Sequence, residues 1–366
     1  MNIQISRGGL LQALQSVIGV VERRQSLPIL GNVLLSVEDD LLRVCATDLE
    51  IQIECSVQVQ NLSPGKITAP ARKLYDICRG LPEGADLKLQ VKDGRLSLRS
   101  GRSRFVLSTL DADEFPSLND GRETSEVRLS NEILKNLIQR TQFAMAQQDV
   151  RYYLNGLLLE FKPGRLRAVA TDGHRLALSE HEFKHGLETD LQLILPRKTV
   201  LELMRLLENS ENEAVLKLSA GQLQVELEQL RITSKLVDGR FPDYERVIPT
   251  GADRLVNADR LRVRAALSRA AILSNEKFRG VRLRMENGEM HIQTQNPEQE
   301  EAQEDLEIDY NGEPLEIGFN VNYLLDALDA IDGEHFRMEL RGPDSSGVLF
   351  GPAQPQNRFV VMPMRL

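Results

Sequence analysis

The sequence predicts an α+β protein of three similar domains, each with two helices against antiparallel sheets. One motif follows a short alternating apolar run three times, at spacings of 124 and 123 residues, and reads Ala46-Thr47-Asp48, Ala170-Thr171-Asp172 and Gln293-Thr294-Gln295. A Phe-Pro pair recurs after 126 residues, and an Arg followed by Phe or Ile recurs twice, after 127 residues each time. A unit of about 120 residues can bury its own core. We therefore expect domains at residues 1–121, 122–250 and 251–366.

The predicted elements follow one order in each domain. Apolar residues at helical spacing predict first helices at 7–20, 131–146 and 259–271, and second helices at 71–80, 197–207 and 320–331. Turn residues at 38–40, 162–164 and 286–288 separate alternating runs, which is typical of hairpins. Strands that come in hairpin pairs favour antiparallel sheets over parallel βαβ wrapping.

Composition indicates an ordinary globular protein, with 41% hydrophobic and 27% charged residues. The N-terminus lacks a basic region followed by an apolar one, and no apolar stretch approaches 18 residues. We therefore expect neither a signal peptide nor a membrane span, and a cytoplasmic protein. Cys45, Cys55 and Cys78 are odd in number and fit no metal-ligand spacing. They are expected to be reduced, buried thiols.

The strongest enzyme-like motif is His181-Glu182-Phe183-Lys184-His185, which matches the zinc-binding H-E-x-x-H pattern. It follows an alternating run, and in a strand residues four apart are separated by roughly 13 Å, too far to share a metal. Asp172 beside His174 is more typical of a surface contact than of an acid–base pair. No nucleophile elbow or phosphate-binding glycine loop is present. We expect no catalytic residue, metal or cofactor, and a zinc hydrolase remains the alternative.

Charge is segregated along the chain. A net charge of −9 would by itself argue against nucleic-acid binding. The six predicted helices carry +7 between them, however, so the remainder carries −16. If the helices share one face, that face can hold a phosphate backbone while the acidic outside repels it. Ordinary helix surface charge, or a static DNA-binding scaffold without a ring, are the competing interpretations.

Two charged runs are complementary. The basic run contains Arg95, Arg99, Arg102 and Arg104 without an acid between residues 95 and 104. The acidic run comprises Glu298, Glu300, Glu301, Glu304, Asp305 and Glu307. The first lies in predicted domain one and the second in domain three. That placement suits a head-to-tail contact between two chains, which closes into a ring if the rotation allows.

Eight stretches carry a family resemblance: residues 26–35, 70–84, 149–156, 170–177, 233–244, 271–283, 296–302 and 360–366. Over essentially all 366 residues the chain resembles the bacterial DNA polymerase III beta subunit family, the sliding clamps. The resemblance implies three domains per chain and two chains in a closed ring around duplex DNA. It also implies a non-catalytic processivity factor that a clamp loader opens and that slides without reading sequence.

The resemblance implies DNA contacts at Arg24, Arg72, Gln148, Tyr152 and Tyr153, although the two tyrosines could instead cover a strand start. Charge alone adds Arg197, Lys198, Arg205 and Arg279 as weaker candidates. For the dimer interface, the resemblance implies an apolar centre of Phe105, Leu107, Ile272 and Leu273. It pairs Lys73, Arg95 and Arg102 with Glu298, Glu300 and Glu304.

The family also has a peptide pocket between the second and third domains. There the replicative polymerase alpha subunit, the clamp loader, other polymerases and repair proteins dock through a short linear motif. Matching positions assign to it Leu154, Thr171, Gly173, His174, Arg175, Leu176, Pro242, Arg246, Val247, Asn320, Tyr323, Val360, Met362, Pro363, Met364 and Arg365. Met adapts to varied partners, which suits a shared dock.

Overall fold

A computed structural model describes residues 1–21, 27–118, 123–182, 184, 186–187, 190–219 and 221–365. The chain forms two compact units, residues 1–134 with 202–236 and residues 135–201 with 237–366. The same order of elements occurs three times along the chain. We call the three copies repeat one, repeat two and repeat three, over the residue ranges predicted for the domains.

Repeat one contains two helices and nine strands. They are β1 (Asn2–Ser6), α1 (Arg7–Val17), β2 (Asn32–Glu38), β3 (Leu41–Thr47), β4 (Ile51–Gln58), β5 (Gln60–Ser63), β6 (Gly65–Pro70), α2 (Ala71–Gly80), β7 (Asp86–Lys92), β8 (Arg95–Ser100) and β9 (Ser103–Ser108). Ser6 caps α1, since its hydroxyl accepts the N–H of Gly9 at 3.1 Å.

Within the described residues, repeats two and three follow the same order without a counterpart of β5. Repeat two comprises β10 (Glu123–Ser130), α3 (Asn131–Gln139), β11 (Gly156–Lys162), β12 (Arg165–Thr171), β13 (Arg175–Glu182), β14 (Leu191–Pro196), α4 (Arg197–Leu206), β15 (Glu213–Ser219), β16 (Gln222–Glu226) and β17 (Leu230–Lys235). Repeat three comprises β18 (Arg254–Asp259), α5 (Arg260–Ala270), β19 (Gly280–Glu286), β20 (Glu289–Gln295), β21 (Glu301–Glu307), β22 (Leu315–Asn320), α6 (Val321–Ala330), β23 (His335–Leu340), β24 (Gly347–Gly351) and β25 (Gln354–Val361).

The named strands form four antiparallel sheets. Their orders are β5-β1-β7-β8-β9, β10-β15-β16-β17-β4-β3-β2-β6, β14-β11-β12-β13-β25-β24-β23-β18 and β21-β20-β19-β22. Each eight-stranded sheet joins two consecutive repeats, through β4 with β17 and through β13 with β25. The corresponding strands β9 and β21 lie at sheet edges. The predicted α+β class with antiparallel sheets is confirmed.

Hairpin register corrects the sequence alignment of the repeats by one residue. The turns after β2, β11 and β19 place Thr47, Thr171 and Gln295 at the same position, each 124 residues from the last. The prediction that Thr294 is the third copy is wrong. Thr47 and Thr171 donate to the carbonyl four residues on, whereas the buried Thr294 hydroxyl donates to Ala270 O at 3.0 Å.

Two first helices are shorter than predicted. The helix expected over 7–20 ends at Val17, and the one expected over 131–146 ends at Gln139. A 3-10 turn, Gln142–Ala144, follows the second. The buried Thr141 hydroxyl donates to Leu137 O at 2.7 Å, which competes with continuation of the helix.

Candidate functional site

Strand pairing assembles the predicted peptide pocket. Leu176 of β13 lies opposite Val360 of β25. Beyond the pair, the N–H of Met362 donates to the carbonyl of His174 at 3.0 Å. The residues before β13 and after β25 therefore meet at one end of this joint. Further along the C-terminal segment, the N–H of Met364 donates to Gly318 O at 2.8 Å, which ties it to β22.

The turn before β13 is built by its own side chains. Asp172 Oδ1 accepts the N–H groups of His174 at 2.9 Å and Arg175 at 3.0 Å, and the Thr171 hydroxyl donates to Arg175 O at 2.6 Å. Gly173 has φ +87°, and a Cβ there would lie 3.0 Å from the Arg151 guanidinium. The left-handed backbone conformation therefore favours glycine at this position. The turn presents His174 to solvent.

Arg175, one of the residues predicted for the pocket, is engaged on several sides. Its side chain is only 13% exposed and forms ion pairs with Asp172 and Asp326. It also donates to Phe143 O at 2.7 Å and lies over the Tyr323 ring at 4.5 Å. A side chain so fully engaged supports the positions of its neighbours, and little of it is free for a ligand.

The predicted pocket residues divide into a floor and a rim. Leu154, Leu176 and Val360 are at least 97% buried. The exposed members are His174, Pro242, Arg246, Val247 and Arg365, and the remaining ones are half-buried. Asn320 caps α6, because its side-chain oxygen accepts the N–H of Asn322 at 3.0 Å.

A buried polar network holds the connector that carries Pro242 and Val247. The Glu160 carboxylate is 2% exposed and accepts from the Tyr244 hydroxyl at 2.6 Å and from Gln192 at 2.7 Å. Burial opposes ionisation of Glu160, but these hydrogen bonds and Lys162 outweigh it, so its pKa lies below the ordinary value. Sequence reasoning missed this network. The sequence feature that could have revealed the network is a glutamate within the apolar run of β11.

The predicted DNA contacts lie in different settings. Arg24 is outside the described residues. The exposed Arg72 donates to Val21 O at 2.8 Å. Gln148, with φ +56°, is exposed on the same loop as Tyr152 and Tyr153. Tyr152 is 58% exposed, whereas Tyr153 packs against the apolar core of repeat two. Of the two tyrosines, Tyr152 is thus the one presented to solvent.

The weaker basic candidates are largely engaged within the chain. Arg205 donates to the carbonyls of Gln15 at 2.9 Å and Ser16 at 2.6 Å. Arg197 donates to Met145 O at 3.3 Å, and burial together with Arg175 lowers its pKa. Arg279 donates to Ala271 O at 3.5 Å. Lys198 also has an interaction partner.

The acids of α6 and the residues just after it are each matched by an arginine. Arg175 pairs with Asp326, Arg264 with Asp329 and Arg140 with Asp332. The negative charge of α6, which departs from the basic character of the other predicted helices, is therefore balanced by nearby arginines.

The predicted dimer residues lie on or near the two free edges. On β9, Phe105 is half-buried and Leu107 is 9% exposed. After α5, Ile272 is 76% exposed and Leu273 is half-buried. Lys73, Arg95, Arg102, Glu298 and Glu300 are exposed. Glu304 faces α5, where Arg269 binds both of its oxygens at 2.7 Å.

Metal chemistry finds no support in the described part of the chain. His181 and Glu182 end strand β13, as predicted, and His185 lies outside the described residues. Within those residues, no group of three or more His, Cys, Asp or Glu side chains is arranged to hold a metal. None of the described helices is both long and apolar enough to cross a membrane.

Comparison with known proteins decides the family. Three models of the DNA polymerase III beta subunit match: the N-terminal domain over residues 1–119, the central domain over 128–243 and the C-terminal domain over 245–365. The chain belongs to this family. Beta sliding clamps of Pseudomonas aeruginosa and Escherichia coli K12 are 50% and 48% identical, over 100% of both chains. The family's subunit is the non-catalytic processivity factor of DNA polymerase III, which is the role of this sliding clamp.

Solved structures agree with the fold. The DNA polymerase III beta subunit of P. aeruginosa matches with a TM-score of 0.97 and 49% identity, over 100% of both chains. A sliding clamp from Bartonella birtlesii, bound to griselimycin, matches with a TM-score of 0.97 at 37% identity and the same coverage. The three similar domains predicted from the repeated motifs, and the sliding-clamp fold that the family resemblance implied, are thereby confirmed.

Proposed function

We propose that two copies of this chain close head to tail into a ring that encircles duplex DNA, slides along it and tethers the polymerase. The ring works in the cytoplasm and its domains are residues 1–121, 122–250 and 251–366. One observation carries the proposal. The strand pairing that joins repeat one to two, and two to three, leaves one matching pair of edges free, β9 and β21. A second chain supplies the missing partner for each edge, and the rotation closes.

The two existing joints predict the register of the third. Ile53 lies opposite Ile232 in the first joint, and Ala177 lies opposite Phe359 in the second. The corresponding residues of the free edges are Ala302 and Phe105. We therefore place Phe105 opposite Ala302 of the partner subunit, and Arg104 opposite the partner's Gln303.

Charge and burial favour this register. On β21, Ala302 and Glu304 are half-buried while Glu301, Gln303 and Asp305 are exposed. Phe105 then meets the side of the partner's β21 that faces α5. The exposed Ile272 of the partner subunit follows that helix. Arg104 lies on the outward side, diagonally between the partner's Glu301 and the partner's Asp305. Diagonal neighbours across strands are within reach of a long side chain. Lys73, Arg95 and Arg102 remain proposed partners for Glu298, Glu300 and Glu304.

Duplex DNA is the proposed ligand of the ring, held without sequence readout. A sliding protein needs phosphate attraction without base contacts, because base readout would trap it at particular sites. Arg24, Arg72, Gln148, Tyr152 and Tyr153 are the proposed contacts. A ring also retains DNA by topology, so no tight local site is needed.

The peptide pocket is the proposed dock for the polymerase alpha subunit, the clamp loader, other polymerases and repair proteins. Its floor is apolar and its rim carries His174 and Arg365. We expect removal of residues 362–366 to abolish binding of the polymerase alpha subunit in a pull-down, while the chain still elutes as a dimer. Unchanged polymerase binding would contradict the pocket.

Retention on DNA tests the ring. Protein loaded on a nicked circular plasmid should stay bound through gel filtration, and linearisation should release most of it. Equal retention on circular and linear DNA would contradict a topological link and favour a static DNA-binding scaffold.

A further inference from the structure

Repeat three contains an open cleft of about 450 Å³ beside the C-terminal segment. It is lined by Asn275, Phe278, Gly280, Arg282, Gln293, Thr294, Gln295, Met364 and Arg365. Only Met364 and Arg365 are shared with the proposed polymerase pocket. The cleft is therefore a separate surface that adjoins that pocket.

The cleft has a counterpart in repeat two. Gly156 and Gly280 begin corresponding strands and face the residues before α4 and α6. Two residues further along these strands, on the same face of each sheet, repeat two has Leu158 and repeat three has Arg282. An equivalent hydrogen bond forms in both repeats where the chain leaves the sheet. The N–H of Val237 donates to Ile194 O at 2.9 Å in repeat two, and the N–H of Met364 donates to Gly318 O at 2.8 Å in repeat three.

In repeat two this face is covered by the connector that follows. Phe241 and Tyr244 are each 5% exposed and lie in one apolar cluster with Leu158 and Val169. Just beyond, the Glu245 carboxylate accepts from the Arg167 guanidinium in an ion pair at 2.7 Å. The cover is thus an aromatic–proline step followed by carboxylates, residues 241–245.

Repeat one is covered in a related way. Phe115, which also precedes a proline, is 8% exposed. Three residues on, the N–H of Leu118 donates to the buried side chain of Gln52 at 2.9 Å. Two of the three repeats therefore cover this face with a Phe-Pro segment that carries an adjacent acid, Glu114 in one and Asp243 in the other.

Repeat three leaves the face uncovered by any segment of the described chain. Phe278 is 55% exposed, and Gln293 and Gln295 are exposed where repeat two has the buried Val169 and the half-buried Thr171. The side chain of Arg282 is 42% exposed and 3.4 Å from Glu316. Exposed Arg365 adds a second cation.

We propose that this cleft docks a segment of a partner protein in which an aromatic residue and proline are flanked by carboxylates. The aromatic ring packs against Phe278 and Met364, and the carboxylates pair with Arg282 and Arg365. The segment takes the place that the chain's own connectors occupy in repeats one and two. This surface goes beyond the polymerase pocket, because it is lined mainly by residues that the pocket does not use.

The probe is a synthetic peptide of residues 240–246 of this chain, Arg-Phe-Pro-Asp-Tyr-Glu-Arg, with blocked ends. The full-length protein carries ¹³C-methyl methionine, and its methyl spectrum is recorded during titration. Met364 lines both the cleft and the adjoining pocket, whereas Met362 belongs to the pocket alone, so a shift at Met364 without one at Met362 reports on the cleft. We expect a saturable shift at Met364 that Phe278→Ala and Arg282→Glu each weaken at least fivefold. A probe with alanine in place of its phenylalanine should shift Met364 much less.

Three results would overturn the proposal: no saturable shift, a shift confined to Met362, or an affinity in both variants that equals that of the parent protein. Because Phe278 is exposed, its replacement should leave the thermal unfolding temperature unchanged, so the test survives if Arg282→Glu folds poorly. Polymerase binding by the Phe278→Ala variant is measured in parallel. Its retention alongside loss of the probe separates this cleft from the polymerase pocket.

Discussion

The paired strand β4 and the free strand β21 occupy the same place in their repeats but differ in surface. Ile51, Gln52 and Ile53 of β4 are buried in its joint with β17. On β21 the alternate residues Glu301 and Asp305 are exposed and charged. Position in the repeat sets where a joint forms, and side-chain chemistry sets whether the joint is permanent. We infer a reversible joint at β21.

Exposed charge on a free edge also has a protective role. An apolar unpaired strand would add any other strand to itself, and charged side chains prevent this. Here the acids of β21 admit a specific partner, because β9 and the strand before it present arginines. Arg95, Arg99, Arg102 and Arg104 are all exposed. We therefore propose that the same residues limit general aggregation and select the opposite end of another copy.

The largest effect is expected from a variant that disrupts strand pairing at the free edge β21 and leaves the two joints within the chain intact. In the first joint, the N–H of Ser56 donates across to Gln229 O at 3.0 Å. Ser56 corresponds to Asp305 of β21, and every second backbone N–H of a strand points toward the same neighbouring strand. The N–H groups of Asp305 and Gln303 are therefore the ones expected to donate to the partner's strand. Gln303→Pro removes one such donor and should weaken dimerisation by about 3 kcal/mol, roughly 100-fold in Kd. Analytical ultracentrifugation measures this constant.

Gln303→Ala is the matched control, since it removes the side chain and keeps the N–H. It should dimerise within about threefold of the parent. If Gln303→Pro dimerises as well as Gln303→Ala, the partner strand does not pair with β21 in the way proposed.

A second change compares two ion pairs at the closed joint between repeats two and three. Arg175→Ala removes a largely buried guanidinium that serves Asp172, Asp326 and Phe143 O, so we expect the free energy of unfolding to fall by about 2 kcal/mol. Arg140→Ala removes a pair whose acid, Asp332, is 63% exposed, and should cost less than about 1 kcal/mol. Urea unfolding gives both values, and equal losses would contradict the supporting role of Arg175.

A third change sharpens the charge selection at the free edges. Arg104→Glu places an acid between two acids of the partner and should weaken the dimer by about 1 kcal/mol, roughly fivefold. Glu301→Arg in the same chain should restore most of the loss, because it returns an opposite charge to the diagonal position. Dimer constants at low salt test this. If the double variant does not recover dimerisation, Arg104 does not lie near the partner's Glu301.

The smallest effect concerns the closed interior. Cys45, Cys55 and Cys78 are buried free thiols, as predicted, and burial raises the pKa of each, that of Cys78 to about 12. The folded chain therefore keeps protons that the unfolded chain releases above about pH 9, so this contribution to stability is full at neutral pH and declines as pH rises past 9. At pH 8 a thiol reagent should label less than about a tenth of the thiols until denaturant is added. Rapid labelling of the native protein would contradict this burial.

Much of the fold was predictable because repetition constrains it. Hairpin turns and helical periodicity located both helices and the main strands of every repeat, since local sequence encodes them. The alignment of repeat three failed by one residue because Thr294 stands at the buried position of Ala46 and Ala170, where its hydroxyl donates to Ala270 O. A one-residue slip in a strand changes which face a side chain occupies.

Less of the site was predictable, because its chemistry depends on partners far apart in sequence. The pocket positions came from family resemblance, and strand pairing does bring His174 beside Met362. The buried Glu160–Tyr244 bond and the engagement of Arg175 by Asp326 join residues 84 and 151 positions apart. No local pattern encodes such contacts. They arise when the connector and α6 pack against the sheet.

Disulfide trapping tests the central claim most directly, that the free edges pair in the register of the closed joints. In that register Phe105 and the partner's Ala302 form a non-hydrogen-bonded pair, whose Cα atoms lie about 4.5 Å apart, close enough for a disulfide. The variant carrying Phe105→Cys and Ala302→Cys should oxidise to a covalent dimer. The slipped control, Phe105→Cys with Gln303→Cys, should remain largely monomeric on a non-reducing gel. Equal trapping of both variants, or of neither, would contradict the register and with it the proposed closure of the ring.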